Sequence, residues 1–278
     1  LLAAAAALSG CAGAQMPRPS EEFVWPRPPE APRVRYVRTI RSAADLPASG
    51  WEAFRRTFIG TDPGTAIFNP TALALSPDEN HLYVACSSTG RVLDIDFPSG
   101  TIRSATGGAL EPKHPLGLAT DAEGNLYVAD QVERSVLVYS PGHRFLREIG
   151  RGQLDRPTGV AVDRRRQVLY VSEGGRVDDT RHRIEAYALA GKHLRTIGTR
   201  GSAPGEFNFP SYLAVSPDGW RAYAIAERPV SGGPAPVGET VGIRVIDLRT
   251  LHRVATWPAP AWLTDLRVSP DGRVVYSL

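Results

Sequence analysis

Lysine is almost missing from this 278-residue chain: Lys113 and Lys192 are the only two, and arginine carries the remaining positive charge. The formal net charge is only +3 and is spread along the chain, which argues against nucleic acid as a partner. Cysteine is equally scarce. Cys11 and Cys86 cannot build a disulfide framework, and they stand in no metal-ligand spacing. No apolar run reaches the roughly 20 residues that a membrane-spanning helix needs. GxSxG, HExxH, GxxxxGK[ST] and GxGxxG are all missing, which leaves no nucleophile elbow, zincin helix, P-loop or dinucleotide fingerprint. Glycine (27) and proline (24) are plentiful instead, so turns are many.

The chain begins LLAAAAALSGCAGA. Its short apolar run has the size of the central part of an export signal. Leu8-Ser9-Gly10-Cys11 resembles a bacterial lipobox, which implies cleavage before Cys11 and a diacylglycerol on its thiol. Residues 1–10 are thus expected to be the remnant of a signal, lacking an initiator Met and basic start. The resemblance makes the membrane the first partner and places the protein at the bacterial cell envelope, with Ala12 rather than Asp after the cysteine pointing to the outer membrane. Residues 11–33 then form the lipid-anchor cysteine and a tether. Pro17, Pro19, Pro26, Pro28, Pro29 and Pro32 favour extended polyproline II, a semi-rigid spacer.

From residue 34 to 278 the pattern changes to a repeat. LYVA at 82–85 returns as LYVA at 126–129, LYVS at 169–172, AYAI at 222–225 and VYSL at 275–278. Tyr83, Tyr127, Tyr170, Tyr223 and Tyr276 stand in register, at intervals of 44, 43, 53 and 53. A period of this length built from short strands predicts a β-propeller. The second unit reads as four strands, LGLATD (116–121), NLYVAD (125–130), SVLVYS (135–140) and FLREIG (145–150); the third repeats them. Their apolar residues are consecutive rather than alternating, as in sheets covered on both faces. The first strand of each unit is rich in Gly and Ala, which suits the crowded axis of such a ring.

RPTGVAVD…LYVSE and HPLGLATDAEGNLYVADQVERSVLVYS resemble NHL repeats, whereas LSPDENHLYVACSSTGRVLDID and VSPDGRVVYSL are similar to YVTN-type repeats. The expectation is an all-β propeller with four complete four-stranded blades and a truncated fifth, part of a six- or seven-bladed protein. VRYVRTI (34–40) is expected as an outer strand donated to the last blade. The resemblance fixes the fold and leaves the activity open.

In this topology the connections between second and third strands, and those between blades, share one face. That face carries the long segments 41–70, 173–182, 198–210 and 227–241, whereas the other is served by short turns. Long loops on a rigid scaffold are where binding resides. Asn69, His114, Arg156, Phe209 and Trp262 open the inner strands and ring the mouth of the channel; Asp178, Asp179 and His182 lie in a neighbouring loop. These are the candidate ligand- and partner-binding residues. Metal-bearing lyases and lactonases of similar propellers make His114 and His182 the candidate ligands of an alternative, metal-dependent hydrolase or lyase. Asp130, at the end of a second strand, is read as scaffold, since a short acceptor there satisfies turn amides. The expected function is binding, with no catalytic residue and no cofactor, of a protein or small ligand on the loop-rich face.

Overall fold

The computed structural model describes residues 24–25, 29, 34–35, 38–47, 66–175, 180–201, 203, 205–227, 241–259, 266–269, 271–273 and 275–277. It comprises two units, Leu1–Ile40 and Arg41–Leu278. In the first, β1 (Val24–Trp25) pairs antiparallel with β2 (Val34–Arg35). Val34–Arg35, expected as the outer strand of a blade, therefore has Val24–Trp25 as its ladder partner.

The second unit is a β-propeller. Blade one is β3 (Pro70–Leu75), β4 (His81–Cys86), β5 (Arg91–Asp96) and β6 (Thr101–Ser104). Blade two is β7 (Pro115–Thr120), β8 (Leu126–Asp130), β9 (Ser135–Tyr139) and β10 (Phe145–Ile149). Blade three is β11 (Pro157–Asp163), β12 (Val168–Gly174), β13 (His182–Ala188) and β14 (His193–Ile197). Blade four is β15 (Leu213–Val215), β16 (Arg221–Glu227), β17 (Val241–Asp247) and β18 (His252–Ala259). A fifth sheet holds β19 (Leu266–Val268) and β20 (Val275–Ser277). Each four-stranded sheet is an antiparallel meander in chain order. The inner strands β3, β7, β11, β15 and β19 follow one another side by side. Arg267 of β19 also donates to the Leu73 carbonyl of β3, so the fifth sheet touches the first.

The consecutive apolar runs have a simple cause. On a strand, successive side chains leave opposite faces. Tyr127 and Ala129 of β8 pack toward blade three, on Val160, Leu169 and Val171. Leu126 and Val128 pack the other way, on Tyr83 and Ala85 of blade one. Tyr170 meets Leu213, Ala222 and Ala224 of blade four, and Tyr223 meets Leu266 of the fifth sheet. Tyr83, Tyr127, Tyr170 and Tyr223 thus each point to the following blade, and both faces of the sheets between are core. Tyr127 is fully buried, and its hydroxyl donates to Asp121 Oδ2 at 3.0 Å.

At the axis the strands approach closely enough to demand glycine. A Cβ on Gly117 would stand 2.9 Å from the Gly159 Cα and from the Thr158 carbonyl oxygen. One on Gly159 would collide with the Ser211 carbonyl of blade four. Thr71 donates to the Pro115 carbonyl at 3.1 Å, and Thr158 to the Pro210 carbonyl at 3.0 Å, so inner strands are also stitched by hydroxyls. At the periphery Arg147 and Arg195 reach the Leu189 and Leu248 carbonyls of the next blade.

Candidate functional site at the channel mouth

On the loop-rich face an X-Pro pair opens the inner strand of the first three blades, Asn69-Pro70, His114-Pro115 and Arg156-Pro157, and Phe209-Pro210 leads into that of the fourth. Proline has no N–H to leave unpaired and sets φ, so the chain turns into the strand at a fixed angle. The residue before it is left at the mouth.

A residue at the end of the second strand faces this corner. Pro115 is registered with Asp130, Pro157 with Glu173 and Pro70 with Cys86. Asp130 is fully buried and accepts four backbone amides: Lys113 and His114 on Oδ2, each at 2.7 Å, and Val132 and Glu133 on Oδ1, each at 2.9 Å. It ties the turn after β8 to the segment entering β7. The scaffold role read from the sequence is therefore broader than expected, because two connections share one carboxylate. Glu173, also fully buried, does this with a longer arm: Oε1 accepts the Asp155 amide at 2.6 Å and Oε2 accepts Arg183 Nε at 3.0 Å. Cys86 is the apolar version; burial pushes its thiol pKa up, against a smaller opposing pull from the Phe68 amide and Arg91.

His182 and Phe209 come together. The fully buried His182 accepts the Phe209 amide on Nδ1 at 3.1 Å, and the two rings lie 4.2 Å apart, tilted by 51°. This acceptor role assigns the proton of the neutral ring to Nε2. It also holds Phe209 at φ 46°, a left-handed conformation that costs a bulky residue about 1–2 kcal/mol. Asn69, in the same place in blade one, has the same φ of 46°, which asparagine tolerates. Gly175 at φ 48° leaves room for the histidine, since a Cβ there would strike its ring.

His114 and Arg156, both half-buried, are joined through Gln131. The Gln131 amide donates to the His114 carbonyl at 3.2 Å. Its side-chain oxygen, oriented by the surrounding donors, accepts the Arg156 guanidinium at 3.2 and 3.3 Å. Gln131 had no sequence signal beyond its place in the turn after β8. Asp178, Asp179, Trp262 and Cys11 lie outside the described residues. Among the described residues, no three His, Cys, Asp or Glu side chains stand together as metal ligands.

A second polar cluster lies toward the other face. The fully buried Asp94 of β5 faces His81 Nδ1 at 2.9 Å and Arg103 Nε at 3.1 Å. His143 Nε2, from the β9–β10 turn, comes within 3.1 Å of the Asp94 Oδ2. Burial works to raise the Asp94 pKa, but His143, His81 and Arg103 outweigh it and hold the carboxyl below its ordinary 3.8. Two of its partners belong to its own blade and one to the next, so it works as an interblade tie.

Comparison with known proteins agrees with this geometry. Residues 63–175, from the approach to blade one through β12, match the model of the SMP-30/Gluconolactonase/LRE-like region. No curated protein sequence matches the chain. Among solved structures, hydrazine synthase from Kuenenia stuttgartiensis is similar at 21% identity and a TM-score of 0.57, over 78% of this chain. The chain spans 58% of that protein's length. The nidogen/laminin complex contains a chain similar at 18% identity and a TM-score of 0.53, with 72% of this chain and 69% of that one covered. At such identities these likenesses establish architecture alone. The chain is a β-propeller, with a stretch similar to the SMP-30/gluconolactonase/LRE-like family.

Proposed function

We propose that this chain is a non-enzymatic protein of the bacterial cell envelope, held at the outer membrane through a lipid on Cys11, whose NHL- and YVTN-like blades capture a protein or small ligand on the loop-rich face. The observation that carries the reading is the preformed mouth. Its corners are fixed by X-Pro pairs, and its buried acids are engaged by the fold rather than aimed outward: Asp130 holds four amides, and Glu173 holds one amide and Arg183. An acid whose lone pairs are taken by backbone donors is a poor general base. The side chains left for recognition are Asn69, His114, Arg156 and Phe209, with Asp178, Asp179, His182 and Trp262 completing the proposed set. Phe209 is kept in a conformation that only a rigid surround sustains, a mark of sites built to bind without rearrangement. Exchanging 227–241 for a short turn should leave unfolding unchanged and abolish partner capture in a pull-down. Capture at the original level would refute the assignment to this face.

The metal-dependent lactonase or lyase reading draws on one finding, the family match over 63–175. Elemental analysis of purified protein separates the two. A stoichiometric metal lost on His114→Ala would favour the enzyme.

A further inference from the structure

The face opposite the loops is built from the turns between first and second strands and between third and fourth. These turns touch in blade order. Thr120 of blade two donates to the Leu75 carbonyl of blade one at 2.6 Å. Arg164 of blade three donates to Thr120 Oγ1 at 2.7 Å, and Arg166 to the Asp218 carbonyl of blade four at 3.0 Å. A Cβ on Gly272 of the fifth sheet would lie 3.4 Å from Pro217. The result is a continuous surface of short, mutually braced turns, so its charges keep fixed positions.

Those charges are segregated. Over blades one and two the surface offers Asp78, Glu79 and Glu123, all exposed, and the half-buried Asp96, against two exposed cations, Arg144 and the Arg103 that lies 3.8 Å from Asp96. Over blades three and four it offers Arg164, Arg165, Arg166, Lys192, Arg221 and Arg249, all exposed, against Asp218 and the half-buried Asp247. Each half also exposes apolar surface: Leu75 and Phe97 on the acidic side, Trp220 on the basic side. The Trp220 ring is clad by Arg166, with its guanidinium carbon 3.9 Å from the ring centroid, and by Arg249 at 5.1 Å.

A surface that is acidic in one half and basic in the other is its own complement. Turned over by a two-fold axis lying in the face along the boundary between the halves, a second copy presents its basic half to the acidic half of the first, and the reverse. Both contacts form together, as an isologous interface requires. An anionic membrane or a polyanion would meet repulsion over half the surface. A separate acidic protein would match only the other half. We propose that this chain pairs with a second copy through the turn face, with the Arg166–Trp220–Arg249 cluster of each copy set against the acidic, Phe97-bearing half of the other. The loop-rich faces then point away from the joint, and the pairing is independent of what they bind.

The test is sedimentation velocity of the full chain, at low salt and at about 0.5 M salt, where exposed charges are screened within a few ångströms. The wild type should be dimeric at low salt, with affinity at least tenfold weaker at high salt. Two reversals leave hydrogen-bonded turn residues intact: Arg165→Glu with Lys192→Glu, and Glu79→Lys with Glu123→Lys. Each doubly substituted chain should be monomeric alone while unfolding at the wild-type temperature, and an equimolar mixture of the two should restore a dimer. A monomeric wild type at low salt, reversed chains that still self-associate, or a mixture that stays monomeric would each overturn the proposal. So would a wild-type monomer that binds heparin or anionic vesicles.

Discussion

Replacing Asp130 with alanine removes an acceptor shared by four amides at 2.7–2.9 Å. A hydrogen bond to a charged group contributes about 1.5–3 kcal/mol, and a buried donor left unpaired costs about 1–3 kcal/mol. The four are not additive, because one carboxylate serves them all and water can enter the vacated volume. The expected loss is therefore about 3–5 kcal/mol, or about 10 °C in Tm for a domain of this size. Asp130→Asn is not a mild change. Its single oxygen serves one pair of amides, while its NH2 opposes the N–H groups of the other pair, so the variant should recover no more than half of the loss. Urea unfolding followed by tryptophan fluorescence gives the energies. Hydrogen exchange at His114 and Glu133 locates them, since both amides should lose protection while the Val171 amide, in the neighbouring blade, keeps it. An Asp130→Ala protein within about 1 kcal/mol of wild type, with those amides still protected, would refute the four-amide argument.

Gly117→Ala forces the β7 and β11 backbones apart where a Cβ would stand 2.9 Å from two backbone atoms, and should cost about 2–3 kcal/mol by urea unfolding. Tyr127→Phe removes only the hydroxyl bond to Asp121 and should cost about 1 kcal/mol, against about 3–5 kcal/mol for Tyr127→Ala, which empties a fully buried site. Because Asp94 titrates lower in the folded protein than its ordinary 3.8, its stabilising contribution is complete above that value and disappears as pH falls through the folded pKa. Acid unfolding of Asp94→Asn should accordingly begin from a lower plateau and fall less steeply below pH 4 than wild type. Asp78 and Asp218 are also lowered, chiefly by their Ser76 and Ser216 hydroxyls, but sit at the surface where solvent and salt screen them. His182→Ala should free the Phe209 amide to exchange and loosen the mouth while leaving amide protection in blade two unchanged, which exchange mass spectrometry reads directly.

The blades were legible because the period is carried by buried tyrosines and by strand residues whose identity the core dictates. FLREIG and HLRTIG marked β10 and β14 almost to the residue. The corner role of Asp130 was legible as well, since a short acceptor after LYVA has few other uses. The Asp130 grip on Lys113 and His114 was not, because those amides lie 17 and 16 residues away in sequence and only strand pairing brings them near. The same holds for His182, which reads as a loop histidine beside two aspartates and becomes the buried support of a phenylalanine 27 positions later. Gln131 is generic by composition; its importance comes from standing between two blades' corners. Local chemistry writes strands and turns into a sequence, whereas partnerships between blades depend on a rotation about the axis that no short window contains.

The one-way aim of the tyrosines has a corollary for how such a molecule can be re-engineered. From blade one to blade four the second-strand tyrosine always lies on the surface turned to the following blade, so the stack has polarity, like bricks with studs above and sockets below. Cutting the gene between two blades and re-entering it there would reorder the polypeptide yet keep the intervening joints of the same kind. Grafting a blade in reverse would set stud against stud.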